Sequence, residues 1–285
     1  MSDILYSHDG YRLDGYRPDL EDYDRLIAKS TNVSHILQSR IDAPYEFDPR
    51  AIFRDNDPRD DMQVEDQGQQ GSCAGHAGTS AVELATFIAT RRMFQLSRGG
   101  LYYMAQEEDG IQGDQGSTIH GCSEVLRKIG VPLEEDWPYP SRYDPSPPGG
   151  ITHQHELAAE FMVGSHTFLS NADDVLQYLK AGLGGVQIGI TWGGDVDKYG
   201  VFRWRAEGGG HSVAFLGWKV INGDEYVWLL NSWGRKWGDD GWALVSMDTL
   251  DQMFRDRSTV MVGYSDMSNP DVRDLPVDFV ETPTL

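Results

Sequence analysis

The hydrophobic pattern of this 285-residue chain changes near residue 182, and that change constrains the fold more than any other feature. Before it, apolar residues recur at helical spacing in segments 74–94, 101–107, 123–129 and 170–182. After it come the β-type runs GGVQIGITW, HSVAFLGWKV, EYVWLLNSW and GWALVSM. Asn222-Gly223 separates two of these runs and indicates a tight hairpin. The sequence therefore predicts an α+β fold, with a helical lobe followed by an antiparallel β lobe.

Composition argues against several classes of protein. Hydrophobic residues make up 39% of the chain, which is enough for a sizeable core, and the formal charge is −21. So acidic a surface argues against a nucleic-acid backbone or an anionic membrane as the main partner. A membrane-spanning helix needs about 20 apolar residues, and the chain contains no such run.

The ends of the chain and its two cysteines bear on compartment and organisation. The first 20 residues lack a basic start and an apolar run, so we expect no secretory signal. Two cysteines do not make a disulfide framework, and we expect a cytoplasmic protein. We predict an extension or short propeptide-like segment over 1–43, a domain over 44–263 and a Pro/Asp-rich tail over 264–285. Within the domain, the predicted lobes divide at about residue 150: 64–150 helical, 151–263 β.

Cys73 is the candidate nucleophile, because it lies at the predicted N-terminus of the first helix. The free N–H groups at a helix N-terminus favour the thiolate. Small neighbours, Gly71 and Ser72 among them, would let a substrate backbone approach the sulfur. The alternative is a buried structural thiol, which is the usual fate of a free cysteine. We expect Cys122 to be a core or pocket thiol, without a second catalytic role.

A base must come from elsewhere in the chain, and His211 is the best of the eight histidines. It follows three glycines and begins a β-type run, which would aim the ring out of a strand end; a strand-capping role is the alternative. We expect His76 to be packed or half exposed. His153 and His155 form an H-x-H in an expected loop, and without further clustered ligands we predict no metal site.

Asn231 ends an apolar run, where its side chain could orient the imidazole. An amide oxygen can accept the imidazole N–H and fix both the tautomer and the ring angle. Trp233 and Trp237 could shield that hydrogen bond from water. The alternative is a turn asparagine beside two core tryptophans.

Three segments together resemble the papain-like (C1) cysteine peptidases, especially their compact prokaryotic and viral-type members. They are QGQQGSC at 67–73, GHSV at 210–213 and NSWGRKWG at 231–238, of which the last is the most specific. The order Cys, His, Asn is that of the family. His211 and Asn231 follow Cys73 by 138 and 158 residues, against about 130–150 in the papain signature. The resemblance covers about residues 45–263.

The resemblance implies a papain-like two-lobe fold with its active site in the cleft between the lobes. It implies that Cys73 attacks a peptide carbonyl as a thiolate paired with His211, and that Asn231 orients the ring. Gln67 and the Cys73 backbone N–H would then hold the oxyanion. Gly71, Ser72, Trp233 and Trp237 would support the substrate cleft. The implied partner is a polypeptide substrate, and no cofactor or metal is implied.

The chain departs from the family pattern at two positions near the nucleophile. Gln70 stands where many members carry a disulfide-forming cysteine, and Ala74 stands where an aromatic residue is usual. The same machinery would also serve a transpeptidase, a deamidase or an isopeptidase. An inactive papain-like binding protein is the remaining alternative.

Overall fold

The computed structural model describes residues 5–7, 10–18, 46–50 and 64–267. The short helix predicted over LEDYDRLIAK and residues 268–285 of the predicted tail lie outside this part of the chain. Within it, no helix combines the length and apolar character that crossing a bilayer requires.

The helical lobe comes first in the chain, as predicted. Its helices are α1 Cys73–Thr90, α2 Arg98–Asp109, α3 Ile119–Lys128 and α4 Ile151–Ala158. Ser97 and Thr118 cap α2 and α3, because each side-chain oxygen accepts a backbone N–H of the first turn. Helix α1 ends at Thr90, before the predicted Met93 or Phe94, because Arg91 takes a left-handed conformation with φ 60°.

The β lobe is built on one six-stranded sheet in which every pairing is antiparallel. Its strands, in spatial order, are β1 Val163–Phe168, β8 Val260–Met267, β2 Val186–Thr191, β5 Gly210–Ile221, β6 Asp224–Leu230 and β7 Trp242–Ser246. A separate hairpin pairs β3 Gly194–Val196 with β4 Phe202–Trp204. The predicted turn at Asn222-Gly223 joins β5 to β6, and both residues have positive φ. Helices α5 Ala172–Lys180 and α6 Met247–Phe254 complete the lobe.

The sheet is covered on both faces, and this places α1 against the strand that carries His211. Successive residues of a strand point to opposite faces. Val213 and Phe215 therefore join the core formed with α5 and α6. Ala214 and Leu216 join a second core with residues of α1. A third core, in the helical lobe, buries Cys122 as a free thiol, as predicted.

Further features differ from the sequence prediction, which also lacked β3, β4 and α6. His153 and His155 lie in α4 rather than in a loop. Of that helix only Gln154 and Ala158 are buried, so its apolar periodicity is too weak to detect. Strands β1 and β8 were not predicted, and β8 continues to Met267, past the predicted domain end at residue 263. Among the described residues, no group of three or more His, Cys, Asp or Glu side chains could hold a metal ion.

Candidate active site

Cys73 is the first residue of α1, and its sulfur lies against the beginning of β5. The backbone N–H groups of Ser212 and Ala74 lie near the sulfur and act to lower its pKa. The preceding residue, Ser72, does not cap the helix with its side chain; its Oγ lies 2.6 Å from the Tyr139 hydroxyl. Because the N–H groups at the helix N-terminus are not taken by a side-chain cap, they can favour a negative charge at the sulfur.

His211 and Asn231 lie at neighbouring ends of the paired strands β5 and β6. His211 Nε2 is 2.8 Å from Asn231 Oδ1, which also accepts the Ser232 backbone N–H at 2.8 Å. A backbone N–H can only donate, so the Asn231 atom that contacts Ser232 must be the amide oxygen and not the nitrogen. That oxygen can only accept, so His211 Nε2 must carry the hydrogen of their bond. Nδ1 is therefore the basic nitrogen of the neutral ring. It is buried and makes no hydrogen bond with any residue that the structure describes.

Two tryptophan rings enclose His211. The ring centroids of Trp233 and Trp192 each lie 4.7 Å from that of His211. Trp237 lies in a second layer, 6.3 Å from Trp233 and 6.1 Å from Trp192. These rings cover the imidazole, and His211 and Asn231 are both buried. Trp192 was missed at the sequence level; the signal for it was its position directly after β2, the strand that pairs with β5.

Gln67 and Gly71 are tied to the same region. The Gln67 backbone N–H donates to the Ser232 carbonyl at 2.9 Å, and Ser232 Oγ donates to Gln67 Oε1 at 2.7 Å. Gln67 Nε2 donates to the Gln70 carbonyl at 2.9 Å. The Gly71 N–H donates to Asp114 Oδ1 at 2.8 Å. The structure thus brings Gln67 next to Asn231, although the two are far apart in sequence.

Residues 11–17 cross the cleft above Cys73 and bond to both lobes. On the helical side, Ser117 N–H donates to the Gly15 carbonyl and Arg17 N–H to the Ser117 carbonyl, each at 3.1 Å. On the β side, Tyr16 N–H donates to the Gly210 carbonyl at 3.4 Å. We call residues 11–17 the covering segment.

Gly15 brings the covering segment closest to the sulfur. A Cβ atom at residue 15 would lie 2.6 Å from Cys73 Sγ and 2.9 Å from the Gly71 carbonyl oxygen. Only glycine permits so close an approach. Cys73 is consequently fully buried, with 0% of its surface exposed.

Side chains anchor the covering segment on either side of Gly15. Buried Arg12 forms ion pairs with Asp14 and Asp114 and donates to the Gln69 carbonyl at 3.1 Å. The Tyr16 hydroxyl donates to the Ser258 carbonyl at 2.7 Å. Tyr11 stacks on Trp233 with ring centroids 4.6 Å apart.

Burial keeps the Cys73 thiol and the His211 ring uncharged while the segment is in place. Burial raises the pKa of the Cys73 thiol to about 12, and the N–H groups of Ser212 and Ala74 offset this only in part. Burial lowers the pKa of His211 to about 4, although the hydrogen bond to Asn231 opposes the shift. Near neutral pH the covered site therefore holds a thiol and a neutral imidazole.

Comparison with known proteins gives the family. The sequence profile of the family described as "Papain family cysteine protease" matches residues 44–262. The chain belongs to the papain family of cysteine proteases.

A viral cathepsin from Epiphyas postvittana nucleopolyhedrovirus is 27% identical over 242 residues, covering 76% of this chain and 68% of the relative. An uncharacterized peptidase C1-like protein from Acanthamoeba polyphaga mimivirus is 29% identical over 194 residues, covering 62% of each chain. Vignain from Phaseolus vulgaris is 31% identical over 185 residues, covering 63% of this chain and only 49% of vignain.

Solved structures of cysteine proteases share the fold. Xylellain, a cysteine protease from Xylella fastidiosa, superposes with a TM-score of 0.63 at 22% identity, covering 88% of this chain and 95% of xylellain. The ragweed pollen protease Amb a 11, solved in its proform, gives a TM-score of 0.64 at 17% identity, covering 91% of this chain and 77% of its own. The two-lobe papain-like fold expected from the sequence is thereby confirmed.

Within this papain-family site, hydrogen bonds hold the position where many members have a disulfide. Gln70 Nε2 donates to the Pro140 carbonyl at 2.7 Å, and the Tyr103 hydroxyl donates to Gln70 Oε1 at 3.1 Å. Cys73 and Cys122, the two cysteines of the chain, are both free. The loop that leads to Cys73 is therefore fixed by side-chain amide contacts.

Proposed function

We propose that this papain-family protein is a cysteine endopeptidase that hydrolyses peptide bonds through an acyl-thioester intermediate. The observation that carries the proposal is the 2.8 Å hydrogen bond between His211 and Asn231, beside the helix N-terminus that bears Cys73. That bond leaves Nδ1 of His211 as a base. The nucleophile, the base and its orienting amide come from α1, β5 and the residue that follows β6.

In this mechanism the Cys73 proton passes to His211 Nδ1, and the thiolate attacks the carbonyl carbon of the substrate. A C–S bond forms, and the carbonyl oxygen becomes an oxyanion. Collapse of this intermediate breaks the C–N bond, while the imidazolium gives its proton to the leaving amine. Water, deprotonated by His211, then attacks the thioester, which releases the acid and restores the thiol. Asn231 holds the N–H of Nε2 throughout and stabilises the imidazolium.

Gln67 is the proposed side-chain donor to the oxyanion, together with the Cys73 backbone N–H. Gln67 Nε2 carries two hydrogens, of which the bond to the Gln70 carbonyl uses one. One such donor is typically worth about 3 kcal/mol of transition-state stabilisation. Gly71 and Ser72 would leave room for the substrate backbone, and Trp233 would form a wall of the cleft, backed by Trp237.

We infer that the covered arrangement is a closed form of this peptidase. A substrate carbonyl cannot reach Cys73 while Gly15 lies against the sulfur, and the neutral pair is not the reactive ion pair. The covering segment must leave before the reaction. The likeness to Amb a 11 in its proform, which extends over 91% of this chain, supports this inference.

Cleavage of a mixed peptide library tests the proposed function. With the covering segment displaced by Gly15→Val, we expect the protein to release new amino termini within the library, and the same protein with Cys73→Ala to release none. Cys122→Ala, which removes the other thiol, is the matched control and should cleave normally. A parallel reaction with an added amine acceptor distinguishes hydrolysis from acyl transfer. Cleavage that persists in Cys73→Ala would contradict the proposal, and products that carry the amine alone would indicate a transferase.

A further inference from the structure

Three buried polar atoms belong to residues that line one small cavity beside the bond between His211 and Asn231. They are Nε2 of His76, Oγ of Ser212 and Nδ2 of Asn231, and none has a hydrogen-bond partner in the described part of the chain. All three residues line one cavity of about 10 Å³ between α1 and the ends of β5 and β6. That volume is close to the minimum that a single water molecule needs.

The alternation of β5 explains why Ser212 points into this cavity. His211 and Ser212 are neighbours on the strand, so their side chains lie on opposite faces of the sheet. The His211 ring faces Trp192 and Trp233. Ser212 lies on the other face, towards α1, where His76 follows Cys73 by three residues.

Hydrogen bonds fix which of these atoms donate and which accept. His76 Nδ1 lies 3.1 Å from the Ser72 carbonyl, which can only accept, so Nδ1 carries the hydrogen and Nε2 is an acceptor. Asn231 Oδ1 already accepts from His211 and Ser232, so Nδ2 presents donors to the cavity. The hydroxyl of Ser212 can do either.

Burial, together with the nearby positive charge of Arg98, keeps the His76 ring neutral. Burial lowers its pKa to about 3, and the positive charge of Arg98 acts in the same direction. Glu65 also lines the cavity, and its carboxylate pairs with Arg98 at 2.7 Å. At any pH well above about 3, His76 is therefore neutral and its Nε2 remains a hydrogen-bond acceptor.

We propose that His76, Ser212 and Asn231 hold one buried water molecule that fixes the orientation of the Asn231 amide. The water would donate to His76 Nε2, accept from Asn231 Nδ2 and complete its set with Ser212 Oγ, which is a full set of partners for a buried water. His76 and Ser212 are then positioning residues, which act on His211 through Asn231. The effect on catalysis rests on the proposed function, but the water site itself does not.

A crystal structure of the full-length Cys73→Ala protein tests the water site directly. We expect one ordered water at hydrogen-bond distance, about 2.7–3.2 Å, from the three named atoms, with Asn231 Oδ1 towards His211. An empty cavity, or an Asn231 Nδ2 bonded to a protein atom instead, would overturn the inference. Because this variant needs no activity, the result stands whether or not the protein proves to be a peptidase.

Kinetics of two variants test the positioning role. His76→Phe removes the acceptor nitrogen Nε2 from the cavity, whereas His76→Gln keeps an acceptor, its amide oxygen. Both variants lose the Nδ1 atom that donates to the Ser72 carbonyl. With active sites counted by a thiol-directed epoxide, we expect His76→Phe to lower kcat roughly five- to tenfold with little change in KM, and His76→Gln to recover most of it. A disordered Asn231 stabilises the imidazolium less, so the alkaline limb of the pH profile should move to lower pH in His76→Phe only. Equal kcat values and equal alkaline limbs in both variants would overturn the positioning role.

Discussion

At the scale of single residues, Gln67 and Ser232 join the proposed oxyanion donor to the proposed triad. The two residues share a pair of hydrogen bonds, one through the Gln67 backbone N–H and one through Ser232 Oγ. Ser232 also donates its N–H to Asn231 Oδ1. The amides of Gln67 and Asn231 thus both bond to one residue. Ser232→Ala removes only the hydroxyl bond to Gln67 and leaves the backbone N–H bond to Asn231 in place, so it should disturb Gln67 more than Asn231.

Replacement of Gln67 should slow the chemical step. We expect Gln67→Ala to lower kcat by roughly 10²–10³-fold, because a donor to the developing oxyanion is lost, and to change KM little. Gln67→Glu keeps the shape of the side chain and places a negative charge beside the oxyanion, so it should be at least as slow. Steady-state kinetics, with Tm measured alongside, check this. A kcat within about threefold of the wild type would exclude Gln67 from the oxyanion site.

Local motifs made part of the site predictable from sequence. Cys73 directly follows Gly71 and Ser72 at the start of a predicted helix. Asn231 and Trp233 belong to the eight-residue motif NSWGRKWG at 231–238. Trp192 and Ser212 have no such signature, because their places depend on the pairing of β2 with β5 and on which face of β5 each residue occupies. The register between paired strands and the face of the sheet on which a side chain lies are set by tertiary structure. They decide which of the many aromatic and hydroxyl side chains reach the site.

At the scale of elements, the covering segment is the feature that the sequence indicated least. Residues 1–43 were predicted as an extension or short propeptide-like segment, without any contact to Cys73. The segment docks through backbone hydrogen bonds, through the side chains of Tyr11, Arg12 and Tyr16, and through one glycine that approaches the sulfur. Backbone contacts of this kind leave no periodic pattern in the chain.

Loosening the covering segment should expose Cys73. Gly15→Val adds a side chain where even a Cβ atom would lie 2.6 Å from the Cys73 sulfur. Arg12→Ala removes the buried cation that ties the segment to the partly exposed Asp114 and to the Gln69 carbonyl. We expect each variant to raise the rate at which a thiol-directed epoxide labels Cys73 by at least about tenfold.

Arg17→Ala provides the matched control for that experiment. Arg17 is exposed at the end of the same segment and reaches Gln115. Surface substitutions of this kind are usually within about 0.5 kcal/mol of neutral, so Arg17→Ala should label at the wild-type rate. Labelling that is equally slow in all three variants would show that the segment does not control access to Cys73.

At the scale of the whole molecule, the change of pattern near residue 182 was enough to predict two lobes of different class. It was not enough to place β1 and β8. Their pairing joins segments about 100 residues apart, from 163–168 to 260–267, and β1 is half exposed at the sheet edge. An edge strand that buries few side chains has a weak alternation of apolar and polar residues, so tertiary pairing had to reveal it.

Two buried histidines should make the folded protein sensitive to acid. Burial lowers the pKa of His76 to about 3 and that of His211 to about 4. An unfolded histidine titrates near 6.5, so between about pH 6.5 and pH 4 the unfolded chain binds more protons than the folded one. The free energy of unfolding should then fall with falling pH by up to about 1.4 kcal/mol per pH unit for each histidine.

Denaturant unfolding of the Cys73→Ala protein at pH 7, 6 and 5 measures this slope. In the same background, His76→Phe should keep the contribution of His211 and lose that of His76, so its stability should depend less steeply on pH. A slope that His76→Phe leaves unchanged would mean that His76 does not stay neutral in the folded state.

The pH dependence of Cys73 alkylation tests the central claim, that His211 activates Cys73, most directly. In the Gly15→Val protein, the rate at each thiol is followed by mass mapping, with buried Cys122 as the internal reference. The account predicts that Cys73 reacts well below the ordinary thiol pKa of about 8.5, that Cys122 stays unlabelled, and that His211→Ala returns Cys73 to ordinary thiol behaviour. A Cys73 that stays as inert as Cys122, or whose pH profile does not change in His211→Ala, would contradict it.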